Sequence, residues 1–279
     1  MGRKTQQTIS LALDWACAEL SKHNIDMREA RDLLSFSLGA TDAYLIAHPN
    51  NVITAPAVKR FKLIVRKRLR GMPFAYVTGT KGFYGLDFIV NKNVLIPRPE
   101  TEGIIDWTLG TYSRDGKHLF VDVGTGSGCI AITLAKYFPY SRVIAIDKSK
   151  RALEVAKQNV RLHKMASRIR LRHGSLLEPL KKTDAPNLVV SNPPYLEKHE
   201  LENVPYEPVE ALYGGKNGLE YVDALVTQIF EKKIPAGIIE ISPTQEHWLA
   251  YRLEAQQEYN FRFILNTAGK IRFVAITKK

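Results

Sequence analysis

Apolar and polar positions alternate with two different rhythms along this chain, and the change comes near residue 74. In the first part, Ile9, Leu13, Ala16, Cys17 and Leu20 recur at three- and four-residue intervals, as on one face of an α-helix. Asp26 followed by Glu29 has the form of a capping box. Met27, Ala30, Leu34 and Leu38 continue as a stripe that stops at Gly39. Thr54 and Pro56 open another helix, which Gly71 and Pro73 close. Phe61, Ile64, Val65 and Leu69 would form its inner face, and a run of basic residues its outer face.

From Phe74 to Val90 the chain is punctuated by glycine and rich in Tyr76, Val77, Phe83, Tyr84, Phe88 and Val90, a pattern that predicts a β-hairpin. Beyond Val94, short apolar runs suited to buried strands recur: Leu119–Val123, Val143–Asp147, Ile169–Arg172, Leu188–Ser191, Gly237–Ser242, Phe261–Asn266 and Ile271–Ile276. Helical segments are expected between the first six. Such alternation predicts an α/β fold with a doubly wound, mostly parallel sheet of seven strands. Only Thr267 to Lys270 separates the last two strands. Parallel strands need a long crossover, so the last strand is expected to be antiparallel. The expected division is a helical domain over 1–73, a hairpin linker over 74–93 and a catalytic domain over 94–279.

Composition adds modest constraints. The 279 residues are 45% apolar, enough for a sizeable core, and carry a formal charge of +12. A basic chain of this kind suits an acidic partner, although a solvated lysine-rich surface explains the charge equally well. The helix from Lys59 to Arg70 holds seven basic residues in twelve and no acid. Cys17 and Cys129 lie far apart and form no metal-ligand spacing, so no metal is expected. Met1 to Leu20 lacks the pattern of a signal peptide, and no apolar run approaches the length of a membrane helix. The expected setting is therefore the cytoplasm, with no membrane partner.

Two segments suggest chemistry. Gly124-Thr125-Gly126-Ser127-Gly128 follows the first apolar strand and opens a helix, which places it at the sheet edge where α/β folds bind ligands. A dinucleotide fingerprint would carry its third glycine one residue later, at Cys129, so another nucleoside ligand fits better. Asp147 ends the second strand and is suited to accept hydrogen bonds from ribose hydroxyls. This loop and acid resemble the class I S-adenosylmethionine methyltransferase pattern.

The second segment is Asn192-Pro193-Pro194-Tyr195, after the fourth strand. Proline fixes φ, lacks an N–H and pushes the residue before it toward extended geometry. The Asn192 side-chain oxygen and the Pro193 carbonyl are then two acceptors beside the flat Tyr195 ring. That set suits a planar NH2 group. An amide nitrogen is a poor nucleophile, but two acceptors can orient it and enrich it, so positioning supplies most of the catalysis. No catalytic histidine is needed, and His163, His173, His199 and His247 are read as surface or structural residues. Adenine carries a similar NH2, so the motif names the nitrogen and not its carrier.

With these motifs in order, the chain resembles the HemK/PrmC family of release-factor glutamine N5-methyltransferases. Arg68 to Gly79, Leu95-Ile96-Pro97-Arg98-Pro99-Glu100-Thr101-Glu102, and Tyr206 to Gly215 with Gly218 carry the likeness beside the two chemical motifs. The resemblance implies that Gly124, Thr125, Gly126, Ser127 and Gly128 hold the methionine part of S-adenosylmethionine and that Asp147 holds its ribose. It further implies that Asn192, Pro193 and Tyr195 are catalytic, that these three and Pro194 bind the glutamine amide, and that Asn192 also touches the cofactor. The implied partner is a class 1 peptide-chain release factor, methylated in its Gly-Gly-Gln loop. A monomer with no obligate nucleic acid is expected. Where family members carry an acid and an aromatic near adenine, this chain has Ser175 and Leu176, the latter an apolar wall for the cofactor. The segment Ile238-Ile239-Glu240-Ile241-Ser242 retains the strand and an acid but loses the family's usual Glu-x-Gly form. The alternatives are glutamine methylation of a ribosomal protein, adenine methylation of nucleic acid, and a non-catalytic binding protein.

Overall fold

A computed structural model describes residues 6–266 and 268–279, which form two compact units divided after Gly79. The first unit is helical: α1 (Ile9–Ser21), α2 (Glu29–Leu38), α3 (Asp42–Ala47), α4 (Ala55–Leu69) and α5 (Phe74–Thr78). The hydroxyls of Thr8 and Thr41 accept from Leu11 N and Tyr44 N, which start α1 and α3. Ile9, Leu20, Leu33, Leu34, Phe61 and Val65 are buried together as its core. The basic positions of α4 alternate with these apolar ones, as its sequence requires.

Two local readings need correction. Asp26 and Glu29 do not form a capping box. Arg28 is the residue before α2, and Asp26 instead accepts from the Arg28 backbone N–H (2.9 Å) and side chain (2.8 Å). Met27 is exposed and lies outside the stripe. Phe74–Thr78 is also helical, although its aromatic and β-branched residues favour strand. Pro73 precedes it and Gly79 follows in the left-handed region (φ 77°), so the helix is bounded by its own punctuation. The hairpin is confined to β1 (Thr80–Phe83) and β2 (Leu86–Ile89).

The second unit continues with α6 (Glu102–Thr111), β3 (Leu119–Val123), α7 (Cys129–Tyr137), β4 (Arg142–Asp147), α8 (Lys150–Leu162), β5 (Ile169–His173) and β6 (Leu188–Ser191). Then come α9 (Glu220–Glu231), β7 (Ala236–Glu240), α10 (Glu246–Glu254), β8 (Tyr259–Leu265) and β9 (Ile271–Lys278). The seven-stranded sheet has the order β5-β4-β3-β6-β7-β9-β8. Neighbours from β5 to β7 are parallel, whereas β9 is inserted antiparallel to both β7 and β8. Thr267, in the connection expected to be tight, lies outside the described residues, as do residues 1–5.

Alternate strand residues supply two cores. Phe120, Val143, Ala145, Leu188 and Val190 pack with α6 and α7 residues, and Val121, Ile144, Ile146, Val189 and Ile239 pack with α9 and α10 residues. This is the two-residue period of strands buried on both faces. One expected helix is absent: the connection from β5 to β6 contains Pro179 and Pro186 and forms turns. It is tied down instead by the Arg172–Asp184 ion pair and by Leu177 N donating to Gln228 Oε1 (2.8 Å). The order of strands reverses between β3 and β6, which opens a crevice at their carboxyl ends.

Candidate active site

The crevice becomes a cavity whose wall includes Val123, Gly124 and Gly126 from the β3 edge and Ser191, Asn192, Pro193 and Pro194 from the β6 edge. Asp147, Lys148, Ser149 and Ala152 line it beyond β4, and Gly174, Ser175 and Leu176 beyond β5. The two segments singled out in the sequence are thus brought together by the reversal of strand order. Thr125, Ser127, Gly128 and Tyr195 lie outside its lining.

The glycine loop is built from backbone hydrogen bonds. Gly124 N and Thr125 N both donate to Ile146 O (2.9 Å each), and Gly128 N donates to Thr125 O (2.7 Å). Gly124, Gly126 and Gly128 all have positive φ (72°, 55° and 82°), which side chains disfavour. A Cβ on Gly128 would also press on Ile132 at 3.3 Å. Asp147 fastens the loop: its Oδ2 accepts from Gly126 N (2.9 Å) and its Oδ1 from Ser149 N (2.8 Å). Each oxygen keeps a second acceptor site for a ligand. Burial raises the Asp147 carboxyl above its ordinary range, opposed by those two backbone donors.

Beneath the loop lies Asp122, fully buried in β3. Its Oδ2 accepts from the Thr125 hydroxyl (2.6 Å) and Ala131 N (3.2 Å), whereas its Oδ1 is buried with no hydrogen-bond partner among the described residues. Burial pushes this carboxyl up to about 7. Sequence reasoning passed over Asp122, although an acid inside the apolar run Leu119–Val123 was the available signal.

At the β6 edge, the Ser191 hydroxyl donates to Val123 O (2.8 Å) and joins the two edges. Asn192 Nδ2 donates to Thr101 Oγ1 (3.0 Å), and the Thr101 hydroxyl donates to Glu240 Oε2 (2.7 Å). Glu240 Oε1 accepts from Arg272 Nη2 (2.8 Å) and from the Tyr195 hydroxyl (3.4 Å). Arg272 Nη2 also donates to Tyr195 Oη (2.5 Å), and its guanidinium lies 5.1 Å from the Tyr195 ring centre. Tyr195 therefore belongs to a polar cluster with Glu240. Burial raises the Glu240 carboxyl, with Arg272 opposing it, and burial pushes the Tyr195 hydroxyl up to about 12.

The loop after Asn192 is locked by close backbone approach. Leu196 N donates to Leu212 O (2.8 Å) and Gly214 N to Leu196 O (2.9 Å). A Cβ on Gly214 would sit 2.7 Å from Pro194 O and from Tyr195 Cα, so no side chain fits there. Glu207 pairs with Arg98 and accepts from Ile96 N (3.0 Å), which links the Leu95–Glu102 signature to the cavity residues Pro208, Glu210 and Ala211. Tyr221 and Lys148 also line the cavity, with the ammonium 4.3 Å from the ring centre. Neither was found from sequence, since nothing in their local pattern marks them. His163 and His173 lie outside the cavity lining and bond to Asp87 O (2.9 Å) and Lys148 O (3.1 Å). Cys17 and Cys129 are free thiols. Among the described residues, no helix is long and apolar enough to cross a membrane.

Comparison with known proteins gives matches over both units. Residues 12–79 match the family described as PrmC N-terminal domain, and residues 109–208 match the methyltransferase small domain. A release factor glutamine methyltransferase of Koribacter versatilis is 39% identical over 210 residues, covering 74% of each chain. One from Bacillus subtilis is 38% identical over 233 residues, covering 80% of each. A bifunctional methyltransferase of Rickettsia typhi is 35% identical over 267 residues, covering 86% of this chain and 51% of that one. Among solved structures, the catalytic domain of human METTL16 in complex with an RNA hairpin aligns with a TM-score of 0.58 at 12% identity, over 96% of this chain and 91% of that one. The N-terminal domain of human METTL16 in complex with SAH aligns with a TM-score of 0.54 at 16% identity, over 82% of this chain and 85% of that one. At such identities the likeness is one of fold.

Proposed function

From the premise that this chain belongs to the release factor glutamine methyltransferase family, we propose that it transfers the methyl group of S-adenosylmethionine to the side-chain nitrogen (N5) of a glutamine, the one in the Gly-Gly-Gln segment of class 1 peptide-chain release factors. The observation that carries this reading is the Asn192 side chain. It borders the cavity while its NH2 end is turned to Thr101 (3.0 Å), and the remaining amide atom is the acceptor Oδ1. With the Pro193 carbonyl, it makes two acceptors for the two N–H groups of a flat amide.

The cavity residues fit the proposed methyl donor. Backbone at Gly124 and Gly126 allows close approach, the remaining acceptor sites of Asp147 suit ribose hydroxyls, and Leu176 and Ala152 offer apolar surface to a purine. Thr125, Ser127 and Gly128 would act by holding the loop's shape. When bound, S-adenosylmethionine supplies a methyl group already activated by a positive sulfur, so the chain needs to orient the nucleophile and needs no general base. Asn192 and Pro193 would hold the amide and draw electron density toward its nitrogen, with Pro194 stiffening the turn. Tyr195, engaged by Arg272 and Glu240, would support that arrangement from the buried side. The helical unit, with its basic α4, is proposed to help grip the release factor.

The test supplies labelled S-adenosylmethionine with a release factor, ribosomal proteins or RNA as acceptors. Label in the Gly-Gly-Gln peptide supports the reading, and label only in RNA or in a ribosomal protein overturns it. Asn192→Ala is expected to lower transfer by roughly 100-fold or more. Calorimetric affinity for S-adenosylmethionine should stay within about threefold, as expected when a transition-state contact is removed.

A further inference from the structure

The Asn-Pro-Pro-Tyr turn leaves one thing unfixed. Its prolines restrain the backbone at Asn192, but the side-chain amide can still rotate by half a turn and exchange its oxygen for its NH2. An NH2 facing the cavity would meet the N–H groups of an incoming amide donor to donor, and transfer would fail. Deepening the proposed function, on which it rests, we infer that Thr101 and Glu240 are positioning residues that fix which end of the Asn192 amide serves the cavity.

The argument is one of counting protons. Arg272 has donors only, so the Tyr195 oxygen accepts from it (2.5 Å) and the Tyr195 proton is directed at Glu240 Oε1 (3.4 Å). The same Oε1 accepts from Arg272 (2.8 Å), and Oε2 faces the Thr101 hydroxyl (2.7 Å). A carboxylate beside a guanidinium accepts and does not donate, so the single Thr101 proton goes to Glu240. Thr101 Oγ1 is left with lone pairs only. Of the two ends of the Asn192 amide, only the NH2 can satisfy them, and it lies 3.0 Å away. The oxygen is thereby turned from Thr101.

The setting makes the relay effective. Glu240 is fully buried and Thr101 is 3% exposed, so water does not offer the hydroxyl an alternative partner. Glu240 is held by strand pairing opposite Phe273, next to Arg272 on the antiparallel β9. Thr101 sits in the turn Pro99–Thr101 that leads into α6. Three distant segments therefore converge on one rotamer choice, which assigns a physical task to Thr101 within the Leu95–Glu102 signature.

Three variants test this. Thr101→Val keeps the shape without the hydroxyl, Thr101→Ser keeps the hydroxyl, and Glu240→Gln can offer Thr101 a donor and so reverse the relay. Transfer to a release factor is measured at saturating S-adenosylmethionine, with affinity for that donor measured by calorimetry. Thr101→Val and Glu240→Gln are expected to lower kcat roughly 10- to 100-fold with donor affinity within about twofold, whereas Thr101→Ser stays within about threefold of the parent. Equal activity of Thr101→Val and the parent overturns the inference. So does a Thr101→Ser enzyme as poor as Thr101→Val, because packing and not the hydroxyl would then be responsible. A second readout is free of the acceptor: the Asn192 side-chain NH2 protons, assigned by their loss in Asn192→Asp, should exchange with solvent faster in Glu240→Gln and Thr101→Val. If the parent enzyme leaves the release factor unmethylated, the glutamine reading falls, and this exchange still decides the relay. Unchanged exchange in both variants overturns it.

Discussion

Two carboxylates are fully buried at the carboxyl edge of the sheet, and they are treated differently. Glu240 faces a guanidinium and two hydroxyls, so both of its oxygens are engaged. Among the described residues, Asp122 has one hydroxyl and one backbone N–H on a single oxygen, no ion pair, and a second oxygen without a partner. Under the glycine loop, the acid is left under-satisfied and titratable near neutrality. Under Asn192, the acid is enclosed by donors that determine the direction of every proton in the cluster.

Removing the cation should separate the two sites most strongly. Arg272→Met leaves Glu240 buried without its countercharge, and the expected loss is about 3–5 kcal/mol in urea unfolding. Asp122→Asn should fall well short of that at neutral pH, and equal losses would erase the distinction. The next effect is one of pH. Between about 4 and about 7, the folded chain holds a proton on Asp122 that the unfolded chain has released. Its contribution is complete below that window and is lost as pH rises through it, by on the order of a few kcal/mol. Stability of the Asp122→Asn variant should decline less with rising pH over this range, and parallel profiles would show that Asp122 is ionised throughout. The smallest change expected is for Thr125→Val, about 1–2 kcal/mol, because only one neutral donor is withdrawn. A loss as large as that for Arg272→Met would mean that Asp122 is charged and depends on Thr125.

Local pattern made the surface of both sites readable from sequence and hid what lies beneath each. Glycines that need positive φ, and an asparagine followed by two prolines, declare themselves within a few residues. Apolar runs of strand length likewise marked the seven strands of the sheet, and the short final connection gave the direction of β9. The relay is different, because Thr101, Asn192, Glu240 and Arg272 lie in four separate segments that meet only after the strands are ordered. Asp122 was missed for another reason: its neighbours made it look like an interruption in a strand. Phe74–Thr78 shows a third limit. Its residues favour extended structure, but the punctuation of Pro73 and Gly79 at its ends prevailed.

The insertion of β9 between β7 and β8 has a consequence for biosynthesis. Translation delivers the glycine loop, Asp147 and Asn192 well before Arg272, which stands in the final strand. A ribosome that stops early would release a polypeptide equipped with the glycine loop but lacking the partner of Glu240. Such a fragment would strand a buried anion and lose the geometry around its asparagine together. Synthesis through β9 is thus tied to the polar cluster around Glu240, and copies cut short before it lose the setting of Asn192 by the same omission that makes them unstable.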